Sequence, residues 1–542
     1  MAKQQTAPRY IFKINTSRLK KARWRLKLSI DEARRNDEVV ALNDSQMLRW
    51  IDELNGVVDV DTRAFEVKRR LRYLKKQPGQ AEIRRECRAL YAELDSLLFK
   101  PDYLHLVIDH KKDLLRACEG FEVNGIEYRR LVGTSGGVKN STIVFVNAKM
   151  IDELRKRIDN GRSHEILQIP SKLEAYRALT CSGSTPVSQP NGILVVPDCE
   201  TTFRENILML NDEAEGEPTL TYLENYEITL NESDGYGLMS PALAERWSQE
   251  LGLSYVMSAC NTRNSFEKGM VFTFDFHDFA DKVAGKHIVK DAWGNDVDIR
   301  SVELILTTSM LKLWKCYDSI DHYLACCEEN HYSFGIPKVA PKELDTWRNL
   351  NYQFIQSFDL SDEQIEELIA PTMREIRDVI CGDYRSAILF ARGKNLNEEN
   401  VWSGCANYVQ AMMIDERMFN DPFVRARMHD YIQKRIDDAK IGVIGVHGNY
   451  SLACGDPYAL CQSIFGLEVT GLLKARQIYN QYWADAGATD VVCFRAPMSN
   501  HNNIKKMQVA AADEMRYWYR HINTCTLFNA WDSTSQALNG MD

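Results

Sequence analysis

Arg263 and Lys268 stand five residues apart in the run ACNTRNSFEKGMVFTFDF, with Lys268-Gly269 opening an apolar strand. A guanidinium fork and an ammonium point charge at one strand edge can hold the phosphates of a nucleotide or of a growing chain. A lysine before a strand is more commonly a solvated surface residue, so the pair alone is weak. Upstream, SDGYGLMS (residues 233–240) supplies glycines for a tight backbone path ahead of a helix. A second polar constellation, VVCFRAPMSNHNNI, places Arg495, Asn500, His501, Asn502 and Asn503 directly after a strand. Pro497 ends that strand, and the cluster then projects as a loop. His110, His164, His277 and His287 have no metal-ligand spacing, so each reads as an ordinary satisfied or exposed histidine. The glycines of GTSGGVK lack Walker spacing and lead into a strand, which favours a plain turn over a phosphate loop. The aromatic run RYWYRH (residues 516–521) could stack bases, but a helix packing its rings into a core is the better reading.

Several kinds of element must position these residues. Residues 60–76 carry seven Lys/Arg around a sparse apolar stripe. Pro78-Gly79 breaks that helix, and a second follows with Ile83, Cys87, Leu90, Tyr91, Leu94, Leu97 and Leu98 at helical spacing. The basic run fits a solvated face as well as it fits phosphate contact. From Tyr103 alternating strands take over, and Asn124-Gly125 between two apolar arms is a strong hairpin signal. Residues 181–310 form a second β-rich stretch, interrupted by one helix with Ser240 as cap and Pro241 at its first position. Residues 311–435 turn helical, with Ser361 and Gln364 spaced as a capping box, and strands return from Lys440. The order suggests two β domains joined by a helical module.

Composition bounds the rest. The chain has 542 residues, 44% hydrophobic and 26% charged, which excludes wholesale disorder. It has no run of 18 apolar residues, and so no membrane-spanning segment is expected. Fourteen cysteines without a CxxC read as reduced thiols in a cytoplasmic setting rather than a disulfide framework. Met1 to Ile30 holds nine Lys/Arg and no acid, without the apolar core of a signal peptide. The net charge of −9 excludes a uniformly basic coat but not a basic channel within an acidic shell.

Taken in order, these motifs resemble a known family. RAPMSNHNNI is similar to the Arg-Ala-Pro-Thr-Leu-His element in the largest subunit of cellular RNA polymerases. ALNGMD resembles the run-in to that family's Asp-Phe-Asp-Gly-Asp signature, cut after its first aspartate. SDGYGLMS and RNSFEKGMV resemble the first barrel of the single-chain, two-barrel RNA polymerases. That group includes the RNA-dependent enzymes of eukaryotic gene silencing and a bacterial and prophage branch. VELILTTSMLKLWKCYDS, RNLNYQFIQSFDL and YRRLVGTSGGVKNSTIVFV resemble the latter branch.

The resemblance implies a mixed α+β chain with two double-psi β-barrels joined by a helical module. Residues 1–100 would be a basic helical region, 101–180 a hairpin and helix module, and 181–310 the first barrel. Residues 311–439 would connect it to a second barrel beginning at 440 and incomplete at 542. Lys268, Arg263 and Arg495 would serve catalysis. Asn264, Lys312, Asn500, His501 and Asn503 would touch substrate or nucleic acid, and Asp542 would be one ligand of Mg²⁺. The implied reaction is nucleotidyl transfer from NTPs on a template, in the cytoplasm of a bacterial or phage-infected cell. A DNA template is favoured because the bacterial and phage branch includes enzymes that transcribe DNA. Alternatives are an RNA-dependent RNA polymerase and a non-catalytic, nucleic-acid-binding polymerase remnant. Because Mg²⁺ wants several oxygen ligands and Asp542 is a single carboxylate, the 542 residues are expected to be inactive alone. They would then be a fragment, or half of a split polymerase whose partner chain carries the rest of the second barrel.

Overall fold

The computed structural model describes residues 7–57, 59–77, 81–133, 141–211, 216–396, 400–402, 404–498 and 501–532. The chain divides into two compact units, Met1–Ala340 with Ser463–Leu467, and Pro341–Gln462 with Glu468–Asp542. Among the described residues no helix is long and apolar enough to cross a membrane.

The first unit begins with a seven-stranded sheet. Its strands, edge to edge, are Arg25–Leu26, Phe121–Val123, Ile126–Gly133, Thr142–Asn147, Phe99–Val107, Arg9–Asn15 and Val39–Leu42. Helices make up most of the first 100 residues, but three strands of this sheet that the sequence reading did not identify lie there too, and the boundary at 100 falls inside Phe99–Val107. The cause lies in RYIFKIN. Ile11 packs into one core with Trp50 and Tyr103, while Phe12 and Ile14 pack into another with Leu104 and Phe145. A strand covered on both faces lacks a clean period of two. The helices Val60–Leu74 and Ala81–Leu98 pair with each other, and Arg63–Glu93 and Arg70–Glu86 ion pairs bridge them. Part of the basic run is thus neutralised locally. The Asn124-Gly125 hairpin forms as expected, with φ of 54° and 82°.

A second seven-stranded sheet follows, in the order Thr185–Pro186, Gly335–Ile336, Ala259–Asn264, Glu267–Thr273, Tyr236–Met239, Leu304–Thr307 and Ile193–Val196. Tyr236–Met239 runs parallel to Glu267–Thr273, and Leu304–Thr307 parallel to Ile193–Val196; the other pairs are antiparallel. Its core gathers Trp247, Phe266, Val271, Leu306, Met310 and Tyr323. Two features depart from the expected span of 181–310. Glu200–Asn211 and Thr219–Asn231 form a separate two-stranded ribbon, exposed along most of its length. The sheet also recruits Gly335–Ile336, and the helix Ile320–Glu329 buries Tyr323, Cys326 and Cys327 in the same core. Residues 311–340 accordingly belong with the first unit.

In the second unit, Asp362–Ile380, Tyr384–Arg392, Asn407–Ile414 and Pro422–Lys440 pack around Val379, Ala387, Met412 and Val424. Ser361 and Gln364 form the expected capping box. A five-stranded sheet has the order Leu452–Cys454, Cys525–Phe528, Gln477–Tyr479, Ile504–Val509, Asp490–Phe494. Buried Asp456 anchors this unit, accepting hydrogen bonds from the Leu472 and Tyr458 amides at 2.9 Å each and from the Tyr519 hydroxyl at 2.8 Å. Trp518 and Tyr519 are buried, so the run at 516–521 packs into the core rather than presenting all its rings. All fourteen cysteines are free, and eight are buried.

Candidate phosphate-binding hairpin

Ala259–Asn264 and Glu267–Thr273 form a tight antiparallel hairpin turning at Ser265-Phe266, with Ser265 at φ 50°. The register makes Arg263 and Lys268 direct cross-strand partners, so their side chains leave the same face. Glycine is required at 269: a Cβ there would lie 2.6 Å from the Gly235 carbonyl oxygen and 2.5 Å from the Met310 side chain. Gly237 is constrained in the same way, since a Cβ there would lie 2.5 Å from the Ile305 carbonyl oxygen. The glycines of SDGYG and EKG therefore let two segments cross closely beside the hairpin.

The neighbouring loops are pinned by Asp198. Its carboxylate accepts from the Thr308 hydroxyl (2.6 Å), the Ser309 amide (2.8 Å) and hydroxyl (2.5 Å), and the Ser233 hydroxyl (3.0 Å). This network ties LTTS to SDG. The Lys312 amide then donates to the Phe266 carbonyl at 3.1 Å, bringing Lys312 to the hairpin turn. Its ammonium lies 3.6 Å from Asp234, whose side chain is largely exposed.

Three cations thus gather at one place. Lys268 is exposed on the hairpin, yet its pKa is lowered, first by partial desolvation and then by Arg263 and Lys312, against the opposing pull of Asp234. Burial also lowers Arg263. Arg263 Nη1 donates to its neighbour's carbonyl, Thr262 O, at 2.6 Å, while its Nε is buried without a partner. Like charges held this close, short of hydration, favour an anion.

Asn264 does not join them. It is buried on the other face of the hairpin, opposite Glu267, and its carbonyl accepts from the Tyr323 hydroxyl. The expected substrate contact is corrected: alternation along a strand turns Asn264 inward when Arg263 points out. Glu267, which sequence reasoning passed over, is fully buried, and burial pushes its carboxyl up to about 7. The alternation of the motif was the signal that would have placed it inside.

In the second unit, Phe494 pairs with Ile504, so Arg495, His501 and Asn503 share the loop of one hairpin. Arg495 and His501 are exposed and Asn503 is buried. Asn500 and Asp542 lie outside the described residues. Among the described residues no group of three or more His, Cys, Asp or Glu side chains could hold a metal ion. His277 Nε2 lies 3.0 and 2.9 Å from the Ile299 and Val302 carbonyls, and His287 pairs with Asp281, so both have ordinary partners.

The hairpin thus presents Arg263 and Lys268, with Lys312 at its turn, beside glycine-crossed loops within a mixed α+β chain. Residues 92–537 match the sequence model of the RNA dependent RNA polymerase family, and the chain belongs to that family. It is 26% identical over 387 residues to the DNA-directed RNA polymerase YonO of Bacillus phage SPbeta, covering 69% of this chain and 43% of that protein. Its fold is similar to that of the RNA dependent RNA polymerase QDE-1 from Thielavia terrestris, with a TM-score of 0.51 at 15% identity. That likeness covers 81% of this chain and 48% of the other. The chain therefore spans less than half the length of each of these two relatives.

Proposed function

We propose that this chain acts in template-dependent RNA polymerisation, with its first barrel at residues 181–310 extended to Ala340 and strands of a second from about residue 440. The observation that carries the reading is the gathering of Arg263 and Lys268 on one hairpin, with Lys312 at its turn, inside the family match. Lys268 and Arg263 hold the phosphates of an incoming NTP or of the growing chain, with Lys312 adding charge at the turn. Arg495, with the exposed His501 on the same loop, contacts nucleic acid, and the buried Asn503 supports that loop from inside. Mg²⁺, the ion such a reaction would use, falls to carboxylates that include Asp542.

The template is DNA on this reading, supported by the relationship to a phage polymerase described as DNA-directed. The reaction extends a nucleic-acid product from NTPs, and Lys268 stabilises charge that develops on the transferred phosphate. The test offers the protein containing this chain matched single-stranded DNA and RNA templates with labelled NTPs at one salt concentration. Product from the DNA template supports the reading. Product from RNA alone would reassign the template, and none from either would leave a nucleic-acid-binding relative of polymerases.

A further inference from the structure

On the buried face of the hairpin, beneath the cations, two acceptor oxygens face a problem. Thr262, Asn264 and Glu267 are 0%, 3% and 0% exposed. The Thr262 hydroxyl donates to Glu267 Oε1 at 2.5 Å. Glu267 Oε2 and Asn264 Oδ1 are both buried without a partner, and the two residues are direct cross-strand partners. An ionised carboxylate beside an amide oxygen leaves both oxygens orphaned at the full cost of their desolvation. A carboxylic acid resolves both, because its O–H donates to the amide oxygen.

We propose that Glu267 is held as the uncharged acid below neutral pH, well above the range in which exposed glutamates ionise, donating to Asn264 Oδ1, so that there the positive charge of Arg263, Lys268 and Lys312 remains undiminished for phosphate. The acid is a positioning residue: it braces the hairpin from inside and touches no substrate. The groups that face it are Thr262, Asn264 and Arg263 on the hairpin, Cys260 on the same strand, and Tyr323 and Cys327 from the helix Ile320–Glu329. Arg263 is the one cation among these, and its register sets it on the opposite face. Burial outweighs the Thr262 hydroxyl, the Arg263 charge and the Asn264 backbone amide, which all favour the ionised form, and raises the carboxyl from its ordinary 4.5 to about 7. The charge consequence rests on the phosphate reading of the hairpin; the protonation does not.

The test compares the wild type with Glu267→Gln, which keeps the shape and cannot ionise. A folded pKa above the unfolded one contributes stability that is complete below the unfolded value and is lost as pH rises through the folded one. Urea unfolding should therefore show the wild type losing stability relative to the variant between pH about 4.5 and 7, then running parallel. A constant difference over that range, as an ionised carboxylate served by a flipped Asn264 amide would give because its own gain falls below pH about 4.5, overturns the proposal, as does wild type gaining on the variant. If Glu267→Gln does not fold, infrared spectra of wild type carrying ¹³C-glutamate decide. A protonated carboxyl band surviving at about pH 6.5, where exposed glutamates are ionised, supports it, and its absence overturns it. Inorganic tripolyphosphate then probes the charge: from pH 6 to 8.5 wild-type affinity should fall about fivefold relative to the variant, the effect of one partly screened charge. No tripolyphosphate binding by either protein would instead overturn the phosphate reading of the hairpin, leaving the stability result to stand by itself.

Discussion

At the scale of single residues, electrostatic roles follow from the face of a strand on which each side chain emerges. The types and spacing of Lys268 and Arg263 suit phosphate, which remains their proposed role, and the cross-strand register makes them neighbours. Asn264 was misplaced and Glu267 overlooked for one reason: adjacency in sequence says nothing until alternation is applied from a known register. Arg495 belongs to the exposed loop between Asp490–Phe494 and Ile504–Val509, and contact with a nucleic-acid backbone is its proposed task. Arg495→Ala should weaken template binding about equally across sequences and lower the slope of log affinity against log salt by about 1. Fluorescence anisotropy over a salt series measures both, and an unchanged slope would remove Arg495 from the interface.

At the scale of elements, local signals with a backbone mechanism carried over well. Asn124-Gly125 adopts the two positive φ angles of its hairpin, and Ser240 caps its helix by accepting from the Leu243 amide at 3.2 Å. Pairing partners were harder to read. Period-two patterning identified a strand in PTLTYLENYEITL but could not say that it forms a solitary ribbon with Glu200–Asn211. Leu208, Leu210, Leu220 and Tyr222 are exposed there, where a barrel strand would have buried them. The close crossing beside the hairpin supplies a test at this scale. Gly269→Ala would drive a methyl group into the Gly235 carbonyl and Met310, and should cost about 1–3 kcal/mol in urea unfolding. A loss below a few tenths of a kcal/mol would mean that the crossing is looser than described.

For the whole molecule, charge is sorted rather than spread. The net charge is −9, yet the basic stretch at the start of the chain is partly spent internally: Arg9 pairs with Asp61, Arg18 with Glu32 and Lys20 with Asp113. The cations of the Lys268 hairpin are different, since the exposed Asp234 is the acid that stands against Lys268 and Lys312. Family membership was legible in the order of several weak motifs, none sufficient alone, and the family match over residues 92–537 agrees with it. The most direct measurement of the central claim is the rate of templated NTP incorporation by the protein containing this chain, comparing Lys268 with Lys268→Ala and Lys268→Arg. The account predicts a loss on the order of 10²–10³ for alanine, with arginine also impaired because a planar fork does not reproduce a point charge. Wild-type rates in both variants, with folding intact, would contradict it and leave Lys268 as a solvated residue at the head of a strand.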